Sequence, residues 1–203
     1  APVLGGWLTE LLRQCAHPGG AAICGAMLWY PDETIQHAGI VTGLGGYAGH
    51  SHKYKKKGGS GYLFRTSTVQ DFSGVTGACL LVKTAVYDEM HGLDEQFAVA
   101  FNDVDFCLRV RDAGYRIAWT PYAELIHYES KSRGGDEKDP VKAARFAAEQ
   151  QRLYTIHGKE NILDDPYYNP NLTRDREDFS ESDDLRRLKE GRVTVRFRGG
   201  TLQ

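Results

Sequence analysis

A chain of 203 residues, 41% of them apolar, is long enough to bury its own core and predicts a globular protein. Its net charge of -2 and pI near 6.4 exclude a global attraction to nucleic acid, so no nucleic-acid partner is expected. No apolar run approaches the roughly 20 residues that span a bilayer, and the N-terminal residues lack a signal-peptide pattern. We therefore expect a cytoplasmic protein. Its four cysteines are widely spaced and predict neither a zinc site nor disulfides.

Helices and strands are predicted along most of the chain. Amphipathic spacing predicts a first helix over 7–15, and a breaker then leads to an apolar strand over 21–30. Further extended segments are predicted at 34–42, 75–83, 116–119 and 122–128, and further helices at 84–90, 102–114 and 140–154. The Gly-, His- and Lys-rich stretch 43–61 predicts a mobile loop. Residues 161–203 are turn-rich and then densely charged, which predicts an extended tail.

Two carboxylates, Asp103 and Asp105, lie among apolar residues where a helix is predicted to begin. An ionised carboxylate away from water needs a cation, a donor or a substrate to compensate it, so the pair is a candidate for chemistry. The alternative is local: Asn102 or Asp103 caps the helix, and Asp105 is stabilised in its first turn by the helix dipole. The pattern alone leaves both interpretations open.

Two other polar groups have weaker signals. His37, His50 and His52 are irregularly spaced in Gly-rich sequence and do not match a zinc template, so we expect loop residues. The basic run Lys53–Lys57 either lies in a solvated loop or attracts an anionic or lipid-linked acceptor.

A series of sequence words in a fixed order carries a resemblance to a known family. These words are Tyr30-Pro-Asp, Gln36-His-Ala-Gly39, Val75-Thr-Gly-Ala-Cys-Leu-Leu-Val82, Gly92-Leu-Asp-Glu95, Phe101-Asn-Asp-Val-Asp-Phe-Cys-Leu-Arg109, Ala113-Gly-Tyr-Arg-Ile-Ala-Trp-Thr-Pro121, His127-Tyr-Glu-Ser130 and Asp165-Pro-Tyr-Tyr-Asn-Pro-Asn-Leu172. Together they resemble the C-terminal part of a family-2 glycosyltransferase over about residues 1 to 180. The similarity is greatest to bacterial rhamnosyl- and other cell-surface polysaccharide transferases.

The resemblance implies an α/β fold of the GT-A type, a mixed sheet with flanking helices, over residues 1–160. It also implies inverting transfer of a sugar from a nucleotide-diphosphate donor to a glycan or lipid-linked acceptor, at or near the inner face of the membrane. Asp103 matches the general base of the family. His127 matches a position that often binds a divalent cation, manganese or magnesium. Gly77, Ala78 and Arg133 match substrate-binding positions, although packing on a buried strand is an equal explanation for Gly77-Ala78. Asp105 either contacts the acceptor substrate or supports the site.

The resemblance also has a gap, because the nucleotide-binding strands and the Asp-x-Asp segment of the family are not found in this sequence. Gly6–Leu12 resembles the helix that follows that segment. We therefore expect a fragment that is inactive alone, that does not retain the cation, and that self-associates through an exposed sheet edge. A non-catalytic binding or scaffold module on the same half-fold is the alternative.

Overall fold

The computed structural model describes residues 1–3, 5–128, 139–183, 196–197 and 200–201. The helices are α1 (Trp7–Ala16), α2 (Thr84–Glu89), α3 (Asn102–Asp112), α4 (Pro140–His157) and α5 (Lys159–Leu163). The strands are β1 (Ile23–Trp29), β2 (Ile35–His37), β3 (Ile40–Thr42), β4 (Ala48–His50), β5 (Gln70–Asp71), β6 (Leu80–Val82), β7 (Ile117–Ile126), β8 (Arg196–Phe197) and β9 (Gly200–Thr201).

A five-stranded mixed sheet forms the centre of the molecule. Strand β1 pairs in parallel with β7 on one side, while β6 and β2 share its other side as antiparallel neighbours. Strand β5 adds to the far side of β7 in the antiparallel sense. All seven residues of β1 are buried, as expected for a central strand covered on both faces. The predicted fold class, mixed α/β with flanking helices, is confirmed.

Strand β7 is a single strand where the sequence predicts two segments on either side of Pro121. Its register against β1 shifts from Ala26↔Thr120 to Met27↔Glu124, so three extra residues of β7, 121–123, form a bulge. Proline cannot donate a ladder hydrogen bond, and the bulge places Pro121 where no such bond is required. The sheet therefore continues to Ile126 and delivers His127 to the far end of β1.

The core lies on both sides of this sheet. Trp119, predicted to be a core residue, is completely buried and donates its indole N–H to the Ala26 carbonyl oxygen. Phe72 packs edge-on against the Trp119 ring, with the ring centroids 6.2 Å apart. Burial of each such side chain contributes about 1.5–3 kcal/mol to folding. No described helix combines the length and the apolar character needed to cross a bilayer.

Residues beyond 160 contribute to this core, which composition did not anticipate. Ile162, Tyr168, Leu172 and Phe179 are buried, and Asp165 is buried with its carboxylate accepting from the Thr42 and Tyr167 amides. A division of the chain at residue 160 and association through a sheet edge stay predictions.

The predicted mobile loop 43–61 is wrong in part, because it contains β4 and buried histidines. His52 is buried; its Nε2 accepts from the Tyr62 amide and its ring stacks on Phe179. His50 pairs with β3 through β4, and His37 lies in β2. Aromatic stacking and backbone hydrogen bonds, which composition does not report, order this segment.

Acid should weaken the packing around His52. Burial, with Lys55 and Arg65 nearby, lowers the pKa of His52 from 6.5 to about 4, although Asp178 opposes the shift. The unfolded chain therefore binds a proton below pH 6.5 that the folded chain resists, and stability falls by up to about 1.4 kcal/mol per pH unit down to pH 4. Urea unfolding at pH 6.5 and 4.5 measures this loss. His52→Gln should reduce the loss, whereas His17→Gln, at an exposed histidine, should not; equal losses in all three proteins would contradict the assignment.

Candidate active site

The Asn102-Asp-Val-Asp105 segment forms the first turn of α3. Phe101 precedes the helix in a left-handed conformation, with φ +63°, and provides no side-chain cap. A non-glycine residue in that region is strained, and such strain is often found at functional sites. The N-cap is therefore neither Asn102 nor Asp103, although each side chain accepts from the amide of the next residue in the first turn. Asp103 and Asp105 then point into different surroundings.

Asp103 has a partly exposed carboxylate that backbone amides orient. Its Oδ2 accepts from the Gly77 amide at 2.8 Å and its Oδ1 from the Val104 amide at 2.9 Å. Among the residues described, no Lys, Arg or His nitrogen forms an ion pair with it. Each carboxylate oxygen has two lone pairs, so one on each oxygen remains for a hydroxyl group. This carboxylate is fixed in place and still able to accept a proton.

Asp105 is 1% exposed and fully engaged inside the protein. Its Oδ1 bonds to His157 Nε2 at 2.8 Å, and its Oδ2 accepts from two guanidinium nitrogens of Arg109. Burial raises the pKa of Asp105, but the bonds from His157 and Arg109 outweigh it and leave the pKa lowered. This geometry supports the positioning of α3 as the role of Asp105; the substrate contact predicted for it has no support in these bonds and stays a prediction.

His37 ties β2 to the turn that holds Asp103. Its Nε2 accepts from the Gly39 and Thr76 amides at 3.3 and 3.4 Å, which places the ring proton on Nδ1, facing His50 Nδ1 at 2.8 Å. Burial first, then His50 and His127, lowers the pKa of His37 well below 6.5, so the ring stays neutral. Thr76 directly precedes Gly77, and His37 therefore supports the donor to Asp103. Its position in the Gln36-His-Ala-Gly39 word was the available signal.

Gly77 and Ala78 lie in an exposed turn rather than on a buried strand. A Cβ at Gly77 would lie 3.5 Å from Asp103 Cβ, an ordinary contact, so glycine is not required there by packing alone. The strand alternative is wrong, and the turn places a backbone N–H beside the carboxylate. Arg133, the other predicted contact, lies outside the described residues.

His127 follows the end of β7, where its amide donates to the Trp29 carbonyl oxygen. Its Nδ1 is shielded from solvent and has no hydrogen-bond partner among the residues described. An imidazole nitrogen of this kind fits a metal ligand. Within the described part of the chain, however, no group of three His, Cys, Asp or Glu side chains could hold a metal ion. The described residues by themselves therefore do not make a metal site.

Comparison with known proteins finds similar sequences in bacteria. The chain is 47% identical to the uncharacterized protein y4gI of Sinorhizobium fredii over 174 residues, 85% of this chain and 19% of that protein. It is 35% identical to the O-antigen biosynthesis protein RfbC of Myxococcus xanthus over 168 residues, 82% of this chain and 13% of that protein. It is 32% identical to the N-acetylglucosaminyl-diphospho-decaprenol L-rhamnosyltransferase of Mycobacterium tuberculosis over 80 residues, 39% of this chain and 24% of that protein.

The chain thus spans less than a fifth of the first two of these relatives. No family model matches the chain, and no solved structure matches it. The mixed sheet with flanking helices agrees with part of a nucleotide-sugar transferase fold.

Proposed function

We propose that this chain is the acceptor-side, base-bearing part of an inverting family-2 glycosyltransferase of the GT-A fold, acting in cell-envelope polysaccharide assembly. The observation that carries the proposal is the Asp103 carboxylate, oriented by two amides and partly exposed. The names of the relatives from Myxococcus xanthus and Mycobacterium tuberculosis support the same class of reaction.

Asp103 accepts the proton of an acceptor hydroxyl as the hydroxyl oxygen attacks the anomeric carbon of the donor. The bond from that carbon to the nucleoside diphosphate breaks on the opposite face, so the configuration inverts. Asp103 suits the role better than Asp105, because a carboxylate already paired with Arg109 and His157 is a weaker base. The exposed turn at Gly77 and Ala78 lets an acceptor approach the carboxylate.

The leaving diphosphate carries negative charge that must be stabilised, and a divalent cation bound with the donor would supply that stabilisation. His127 is the residue that we propose to hold the cation. Arg133 and Asp105 are kept as predicted substrate contacts. The support for Asp105 is weaker, because both of its carboxylate oxygens already bond to His157 and Arg109.

The direct test is transfer of radiolabel from UDP- and dTDP-sugars, with manganese, to lipid-linked or oligosaccharide acceptors. The full product of the gene is the protein to assay. Label in the acceptor supports the proposal. Donor binding without transfer to any acceptor would instead favour the scaffold alternative. The absence of both donor binding and sugar transfer would overturn the proposal.

Replacing His127 with Ala should weaken the metal dependence of transfer. Loss of a group that only orients a metal ligand already lowers metal affinity by about ten- to a hundredfold, so loss of a ligand nitrogen should raise the manganese concentration for half-maximal transfer at least about tenfold. The manganese titration of turnover measures the shift, and direct manganese binding by electron paramagnetic resonance gives a readout independent of activity. His17→Ala is the control at an exposed histidine; an unchanged titration in His127→Ala would remove His127 from the cation site.

A further inference from the structure

A groove of about 680 Å³ lies between the segment before β5 and the segment after α5. Its walls include Tyr62, Leu63, Arg65, Gln70, Asn169 and Phe179. Strand β5 pairs with β7 at Ala118, whereas His127 follows the other end of β7. Ala118 pairs with Cys24 of β1 and the His127 amide bonds to Trp29 of β1. These two β1 residues are five positions apart, which corresponds to about 17 Å along the strand. The groove therefore lies toward the opposite end of β7 from His127, and its walls do not include Asp103, Gly77 or Ala78.

Arg65 lines this groove and forms no salt bridge with a carboxylate in the described part of the chain. Its guanidinium lies over the rings of Phe72 and Phe179, at 4.9 and 5.6 Å from the centroids. Its Nε and Nη2 are shielded from solvent and have no hydrogen-bond partner in the described part of the chain. Burial lowers the pKa of Arg65, and Asp165 opposes the shift without forming an ion pair that the described residues record. Shielding a cation in this way is costly unless an anion compensates it.

The other arginine at the groove is already matched. Arg116 donates to both carboxylate oxygens of Asp71, at 2.9 and 3.2 Å, and to the Gly19 carbonyl oxygen. Of the two arginines that line the groove, Arg65 is thus the one without a salt bridge among the described residues.

The segment beside Arg65 is strained and exposes apolar surface. Leu63 and Phe64 have φ angles of +45° and +61°, and their side chains are 75% and 67% exposed. Left-handed backbone is unfavourable for residues other than glycine and persists where the surroundings require it. Exposed apolar side chains at the mouth of a groove provide a surface for the C–H face of a ligand ring.

The polar groups of the groove suit neutral hydroxyl groups. Asn169 donates to the Tyr62 hydroxyl at 3.2 Å, and Gln70 lines the same wall. Aromatic rings, amides and one guanidinium with unsatisfied N–H groups together match a sugar ring that carries an oxyanion.

We propose that this groove binds a sugar unit bearing a carboxylate or a phosphate, through Arg65, and that the unit belongs to the acceptor glycan. The assignment of this sugar unit to the acceptor glycan rests on the proposed transferase function, whereas binding of an acidic sugar in the groove does not. The size of the groove, about 680 Å³, falls within the range that holds ligands larger than one sugar ring.

NMR titration of the full gene product with four probes tests the proposal: D-glucuronate, glucose 6-phosphate, glucose and inorganic phosphate. We expect one or both acidic sugars to bind at least tenfold more tightly than glucose and than inorganic phosphate, with the Arg65 Nε–H resonance shifting. A response to glucuronate alone identifies a carboxylate, and a response to glucose 6-phosphate alone identifies a phosphate. Equal binding of glucose would overturn the role of the charge, and equal binding of inorganic phosphate would overturn the role of the sugar.

Arg65→Met should weaken binding of the acidic sugar at least tenfold, and Arg13→Met, on the exposed side of α1, should not. If Arg65→Met fails to fold, the shift of the Arg65 resonance in the unchanged protein decides the question; no shift at saturation overturns the site. Asp103→Asn separates the two proposals, since it should abolish transfer and retain acidic-sugar binding.

Discussion

Asp103→Asn is expected to lower the turnover of sugar transfer by about a hundredfold or more. The substitution removes the group that accepts the hydroxyl proton, and general-base catalysis typically contributes between a hundredfold and ten-thousandfold. The amide oxygen of the substituted side chain can still accept from the Gly77 amide, so the fold of the turn is retained. Donor affinity should change little, because the base acts on the acceptor. Turnover and donor KM in the full gene product measure both effects.

Asp112→Asn is a matched control, because Asp112 ends the same helix and its side chain is 52% exposed. It should leave turnover within a factor of two. Turnover of Asp103→Asn within a few-fold of the unchanged protein would overturn the assignment of the base. Unfolding of Asp103→Asn at the assay temperature, to an extent that accounts for the lost turnover, would also count against the assignment, since the proposed role is chemical.

Asp105→Asn is expected to lower the free energy of unfolding by about 2–3 kcal/mol. The carboxylate is 1% exposed, whereas the Arg109 side chain is 26% exposed, so solvent screens part of the loss. Substitution leaves Arg109 without its anion and presents an amide N–H₂ group to a network of donors, which also costs free energy. Urea unfolding at pH 7 measures the difference, with Asp112→Asn again as the control at under about 0.5 kcal/mol.

The same carboxylate should contribute to acid sensitivity. Its pKa is lowered in the fold from 3.8, so its stabilisation is complete above that value and is lost as the pH falls below it. Unfolding measured at pH 7 and pH 3 should show a larger loss in the unchanged protein than in Asp105→Asn. A similar loss in both, or a neutral effect of the substitution at pH 7, would mean that the Asp105 network does not stabilise α3.

Local patterns identified most of the helices and the central strand. The amphipathic spacing of 7–15 and the apolar run 21–30 correspond to α1 and β1, and α3 begins at Asn102 as expected. These elements depend on side-chain periodicity, caps and turn residues that are near in sequence. The same information could not distinguish the roles of Asp103 and Asp105, because both carboxylates fit the first turn of a helix.

Long-range contacts decided what the sequence left open. The partners of Asp105 at His157 and of Asp103 at Gly77 are 52 and 26 residues away. Burial of Ile162 and Phe179 and the support of Thr76 by His37 likewise depend on which segments pack together. The sequence by itself determined the start of α3 and the pair of candidate carboxylates, because those depend on neighbouring residues, whereas the class of fold and the choice of Asp103 as candidate base came from the family resemblance. Only the tertiary structure decided which carboxylate is free to accept a proton, because pairing and solvation arise from residues distant in the chain.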